Sequence, residues 1–144
     1  MFAQFFKRTY QRASFEDLQF AMKSPRDFII INTLHTGEQD CLIKNTLSYQ
    51  LEENLMNDLV NQYDFKSKRI IIYGKNSSDV TIEKKCDQLL GLGFVHVFIY
   101  AGGLFEWLLL QDIYGESEFP TTKKTLDILK YKPSRSFGGL YIGY

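Results

Sequence analysis

The stretch Arg69-Ile70-Ile71-Ile72-Tyr73-Gly74-Lys75-Asn76-Ser77-Ser78-Asp79 decides the fold. Its first half is the most hydrophobic strand of the chain. An apolar run with no polar alternation is the pattern of a strand covered on both faces, as in the middle of a parallel sheet. The polar residues 74–79 read as a tight loop, and a helix over 80–90 follows. Its apolar positions Val80, Ile82, Cys86, Leu89 and Leu90 lie mostly on one side. Gly91 and Gly93 end it, one of them in a left-handed conformation. Residues 95–100 are the next strand. Gly102-Gly103 then allow a sharp turn that side chains would block, into a helix over 104–113. Trp107 sits one turn into that helix, placed to pack in the core.

Upstream, Ser14-Phe15-Glu16-Asp17 is a helix start, with Ser14 as N-cap and Asp17 reaching back. Leu18, Phe20, Ala21 and Met22 carry apolar surface up to Ser24-Pro25, where the helix stops. Residues 28–31 form the first buried strand, and Cys41-Leu42-Ile43 is expected to form a short one. Leu51, Leu55, Met56, Leu59 and Val60 line one face of a helix over 50–60. Downstream, Pro120 and Thr121 open an expected helical stretch over 122–129, and the chain from Lys132 has no periodicity. Strands alternating with helices make an α/β domain, its parallel sheet lying between two helical layers.

A chain of 144 residues, 44% hydrophobic and 24% charged, holds one globular domain with a proper core. Net charge is zero and the Lys and Arg residues are scattered, which excludes the basic stripe of a nucleic-acid binder. No apolar run is long enough to span a membrane. Two distant cysteines, Cys41 and Cys86, are no disulfide framework, and with His35 and His96 they lack zinc spacing. No metal and no cofactor is expected. Residues 1–14 carry Lys7, Arg8 and Arg12 with no acid, and Phe2, Phe5 and Phe6 supply an apolar side. That is the composition of a mitochondrial targeting segment, here read as uncleaved. The other reading is a basic arm ahead of the first helix. The organisation is thus an arm over 1–13, a domain over 14–132 and a Gly/Tyr-rich docking tail over 133–144.

Two signatures are specific: Gly91-Leu92-Gly93-Phe94 at a helix exit, and Gly102-Gly103-Leu104-Phe105-Glu106-Trp107 after the last strand. With the order of elements they resemble the second half of a rhodanese (sulfurtransferase) domain. The resemblance covers roughly residues 14–120. It includes Leu42-Ile43-Lys44-Asn45-Thr46, where the family often has His-Ile-Pro-Gly-Ala. It implies a rhodanese-like three-layer α/β/α fold around a central, mostly parallel, five-stranded sheet. It also implies a site. In active members the first loop residue is a cysteine whose thiolate attacks a sulfane sulfur. Backbone N–H groups in front of a helix N-terminus hold it, and an arginine commonly closes the loop. Here Gly74 stands at the cysteine position and Asp79 at that of the arginine. Asn32 and Leu34 stand where an earlier loop usually has Asp and Arg. Gly74 has no side chain to carry a persulfide. Asp79 adds negative charge where an anion would bind, and is expected to cap the following helix.

The expectation is therefore a catalytically inactive domain. Its vestigial loop is Gly74, Lys75, Asn76, Ser77, Ser78 and Asp79, and no residue is assigned a catalytic role. Inactive rhodanese domains serve as docking modules, so the resemblance implies a structural or protein-interaction subunit of a larger assembly. Expected partner contacts are Phe2, Phe5, Phe6, Phe137, Leu140, Tyr141, Ile142 and Tyr144. A mitochondrial respiratory-chain or ATP synthase complex is the expected host, with a cytoplasmic location as the alternative. Two other readings stand beside this one. One is a pseudoenzyme that senses an oxyanion or nucleotide through Lys75, Ser77 and Ser78, opposed by Asp79. The other is a residual sulfurtransferase using another thiol. For that role Cys86 reads as a packing residue and Cys41, beside Asp40, as the reachable one.

Overall fold

In the computed structural model, which describes residues 9–137, four strands alternate with four helices. They are β1 (Gln11–Arg12), α1 (Phe15–Met22), β2 (Phe28–Asn32), α2 (Tyr49–Asn61), β3 (Arg69–Tyr73), α3 (Thr81–Leu92), β4 (Val97–Tyr100) and α4 (Gly103–Tyr114). The strands pair in the order β1-β4-β3-β2, all parallel. Side chains of a strand alternate between faces, and here both sets are apolar. Ile30, Ile71, Tyr73 and Tyr100 meet Leu18, Ala21, Leu104, Trp107 and Leu108 of α1 and α4. Ile29, Ile31, Ile70, Ile72, Val97 and Ile99 meet Met56, Leu59, Ile82, Cys86 and Leu89 of α2 and α3. This two-sided burial makes the three-layer α/β/α fold and places β3 inside the sheet, as its Ile run predicts.

Local signals act where they stand in the sequence. Ser14 Oγ accepts from the Asp17 N–H at 3.2 Å, while Asp17 accepts from the Ser14 N–H at 2.8 Å. Gly93 ends α3 at φ +117°, and its N–H reaches the carbonyls of Leu89 and Leu90. Gly91 lies inside the helix.

Three expectations change. The described sheet has four strands, not five. Cys41-Leu42-Ile43 adds no strand. Ile43 makes a single antiparallel bridge to Thr121, and the place beside β2 holds one parallel bridge from Ile30 to Thr46. Between them Asn45 takes φ +71°, a left-handed step that turns the backbone out of a ladder. The Tyr73 hydroxyl holds this turn, accepting from the Ile43 N–H at 3.1 Å and bonding Thr46 Oγ1 at 2.7 Å. Second, Gln11–Arg12, read as part of the N-terminal arm, form β1 and pair with β4. Third, the expected helix over 122–129 does not form. The Thr122 N–H goes to the Leu42 carbonyl at 2.8 Å, and the Pro120 carbonyl accepts from the Lys44 N–H at 3.1 Å. Only a 3₁₀ turn at Ile128–Tyr131 remains helical.

Trp107 is fully buried, its Nε1–H donating to the Pro120 carbonyl at 3.1 Å. Its ring meets Phe119 edge-on at 5.0 Å between centroids. It thereby ties α4 to the returning chain. Trp107→Ala is expected to lower the unfolding free energy by about 3–5 kcal/mol, read from urea midpoints by far-UV circular dichroism. A loss under about 1 kcal/mol, ordinary for a surface site, would contradict this placement.

Candidate functional site

The carboxyl ends of β2 and β3 open onto a loop that runs into α3. Asn76 shapes it. Its Oδ1 accepts from the Ser78 N–H at 2.9 Å, its carbonyl accepts from the Asp79 N–H at 3.2 Å, and its Nδ2 donates to the Tyr131 carbonyl at 3.0 Å. The start of α4 latches the loop from the other side. The Leu104 N–H reaches the Gly74 carbonyl at 2.9 Å, and the Phe105 N–H reaches that of Lys75 at 3.0 Å. Gly103 makes this approach possible. It sits at φ +67°, and a Cβ there would lie 2.7 Å from the Gly74 oxygen and 2.9 Å from the Asn76 nitrogen.

Asp79 fills the centre. Its Oδ2 accepts from the Lys75 N–H at 2.9 Å. Its Oδ1 accepts from the Thr81 N–H at 3.0 Å and from the Thr81 hydroxyl at 2.5 Å. Asp79 thus caps the first turn of α3, as expected. It also closes on Gly74: a Cβ on that glycine would stand 2.5 Å from Asp79 Oδ2 and 2.9 Å from Ile82 Cγ1. Burial pushes the Asp79 carboxyl up, but the Lys75 and Thr81 donors, with His35 nearby, hold it below the ordinary carboxylate range.

A cavity of about 260 Å³ opens over the loop, its wall including Leu34, His35, Lys75, Ser78, Asp79 and Lys132. Of the six expected loop residues, Lys75, Asn76, Ser78 and Asp79 line it. Gly74 lies buried beneath the Asp79 carboxylate, and Ser77 is exposed. Asn32 Oδ1 accepts from the Leu34 N–H at 3.0 Å, so both residues are used in shaping the wall. Glu38 was not foreseen. It comes from the 3₁₀ turn Thr36–Glu38 and pairs with the Lys75 ammonium at 2.5 Å. Nothing in the spacing of the two residues marks that pair.

Both thiols are buried, Cys41 included, which corrects the reading of Cys41 as reachable. Cys41 Sγ donates to the Lys123 carbonyl at 3.1 Å, and burial pushes its thiol pKa up. Among the described residues no group of three or more His, Cys, Asp and Glu is placed to hold a metal ion. None of the described helices is long and apolar enough to cross a membrane. Phe137 is 87% exposed. The other expected partner contacts, Phe2, Phe5, Phe6, Leu140, Tyr141, Ile142 and Tyr144, lie outside the described residues.

No protein-family model matches the chain. No curated protein matches it either. Solved structures do. Ygr203w, a yeast protein tyrosine phosphatase of the Rhodanese family, shares 16% identity over 85% of this chain and 99% of its own, with a TM-score of 0.61. The rhodanese-like domain of the Alr3790 protein from Anabaena sp. shares 19% over 91% of this chain and 90% of its own, with a TM-score of 0.55. The As-Sb reductase from Leishmania major shares 18% over 75% and 81%, with a TM-score of 0.51. The chain therefore has the rhodanese-like fold.

Asp79→Ala is expected to cost about 1 kcal/mol, the ordinary loss for a removed cap. The folded carboxyl lies below its unfolded value, so its stabilisation is present above about pH 4 and lost as pH falls through the lowered value. Urea midpoints of native and Asp79→Ala chains should converge below about pH 4; a constant gap down to pH 2 would contradict the assignment. Gly103→Ala should cost more than about 1 kcal/mol, because it is strained and also breaks the latch.

Proposed function

We propose that this chain is a catalytically silent rhodanese-like domain that serves as a protein-interaction subunit of a larger assembly. One observation carries the reading: the Asp79 carboxylate sits against Gly74 and takes the Lys75 N–H. By the family resemblance, Gly74 stands where active members carry their cysteine. A side chain there collides with Asp79 unless the carboxylate leaves. The backbone donor at the start of the loop already holds an anion, one built into the chain. The ammonium beside it is matched by Glu38. The phosphatase and reductase activities named for the yeast and Leishmania proteins are therefore not carried over to this chain. Nor does either thiol offer a substitute, since both are buried and neither lines the cavity.

A domain kept folded around an occupied loop has its surface left to work with. Interaction is the role such a domain retains, and the basic, acid-free residues 1–14 favour a mitochondrial assembly as host. The oxyanion-sensing reading is weaker for the same reason that transfer chemistry is: the Asp79 carboxylate competes directly with a bound anion.

The purified chain should transfer no sulfur from thiosulfate to cyanide, and Gly74→Cys alone should not restore transfer. Turnover by the native chain would sink the reading. Turnover by Gly74→Cys would show that Asp79 yields its place readily. Millimolar sulfate or phosphate should leave the melting temperature unchanged; a saturable rise would favour oxyanion sensing instead. In gently solubilised native extract the chain should run with a large complex at fixed stoichiometry, not at the mass of a single chain.

A further inference from the structure

Residues 43–47 meet β2 only at the Ile30–Thr46 bridge, because Asn45 at φ +71° turns the preceding backbone away from the sheet edge. Beside the amino half of β2 this leaves a cleft of about 500 Å³, within the roughly 300–1,000 Å³ of small-molecule sites. Ile29 and Ile30, 4% and 3% exposed, are its inner lining, and Leu51, 58% exposed, stands at its rim. Pro25, Leu47 and Leu55 extend the apolar wall. The cleft lies at the opposite ends of β2 and β3 from the loop of residues 74–79, and its lining shares no residue with the cavity over that loop.

Such sites are largely formed before a ligand arrives, and here the walls are tied to one another. Asn45 Nδ2 donates to the Met22 carbonyl at 3.2 Å, and the Leu47 N–H donates to the Ile30 carbonyl at 2.9 Å. The Lys68 ammonium donates to the Arg26 carbonyl.

Three polar residues line the cleft: Asn45, Thr46 and Lys68. The Thr46 hydroxyl is held between the Ile43 carbonyl and the Tyr73 hydroxyl, and the Asn45 amide is tied to Met22. Among the described residues Lys68 is the one charged group of the lining. Lys23, Arg26, Asp27, Lys44, Lys66 and Arg69, charged residues of the bordering segments, do not line it, and neither do the acids of α2. Asp64 lies close enough to feel the Lys68 charge, but its oxygens take the Ser67 N–H and hydroxyl. None of the ion pairs among the described residues includes Lys68. An ammonium has three donors; one goes to Arg26, and two remain for a ligand. The complement of one cation beside an apolar wall is an apolar body with one anionic end.

We propose that this cleft binds an apolar monocarboxylate of the fatty-acid class, its chain against Ile29, Ile30, Leu51 and Leu55 and its carboxylate on the Lys68 ammonium. The site goes beyond the interaction role proposed above and does not depend on it.

The test is an NMR titration of the full chain, ¹³C-labelled at its Ile and Leu methyl groups, with submillimolar decanoate. Decanoate should move the Ile29, Ile30, Leu51 and Leu55 methyl resonances saturably. Leu104 and Leu108, on the other face of the sheet, should stay in place. 1-Decanol, with the same chain and no charge, should bind about tenfold more weakly. Lys68→Met should weaken decanoate about tenfold and leave decanol unchanged, and Lys68→Arg should restore most of the affinity. Lys68 is only partly buried, and far-UV circular dichroism of both variants should match the native chain. No saturable shift with decanoate would overturn the proposal. So would equal affinity for decanol and decanoate, or decanoate affinity unchanged in Lys68→Met, since either would leave a cleft without a carboxylate site. A dimer in sedimentation that Leu51→Glu dissolves would give the cleft to a second copy instead. Sulfur transfer by the native chain, which would sink the silent-domain reading, leaves this titration as it stands.

Discussion

The carboxylate of Asp79, closed against the bare α-carbon of Gly74, is the contact on which the site depends. It sets the loop from inside by taking the Lys75 and Thr81 N–H groups. The loop so shaped offers the Gly74 and Lys75 carbonyls to the start of α4. That latch in turn requires Gly103, because a Cβ there would strike the Gly74 oxygen. From Gly103 onward α4 is aimed so that Leu104, Trp107 and Leu108 enter the core. Two glycines and one aspartate thus couple the loop to the packing of a whole helical layer.

On the proposed reading, the same geometry lets the scaffold stand without a nucleophile in the loop. The core needs the Ile-rich strands and the α4 side chains; it does not need a nucleophile at position 74. A small residue there lets an internal anion settle, and that anion then stabilises the loop that held it. Glu38 matches the charge of the Lys75 ammonium beside the loop.

Much of this is legible in the sequence where a local rule governs. The strand β3 reads as buried because Ile70, Ile71 and Ile72 serve both faces, and the structure divides them between two cores. Ser14 and Asp17 announce a capping box, Gly93 a left-handed helix end, and Asp79 a cap. What failed depended on partners distant in sequence. β1 is two exposed residues held by backbone pairing with β4, with no apolar pattern to reveal it. Cys41-Leu42-Ile43 has the composition of a strand, but Asn45 in a left-handed step and the Tyr73 hydroxyl redirect it. The helix expected over 122–129 is forestalled at its start, where Thr122 and Pro120 pair with Leu42 and Lys44. The cavity's Lys75–Glu38 pair spans two loops, and no spacing rule connects them.

The central claim is that one carboxylate occupies the loop from within. The direct measurement is an acid titration of the ¹⁵N-labelled chain by NMR, following the Lys75 and Thr81 amides. If Asp79 accepts from both, the two resonances move together in a single transition, at a pKa below the ordinary aspartate value of about 3.9. Amides that stay still, or a transition at or above that value, would mean that the carboxylate does not hold the loop, and the proposed silence of the site would lose its physical basis.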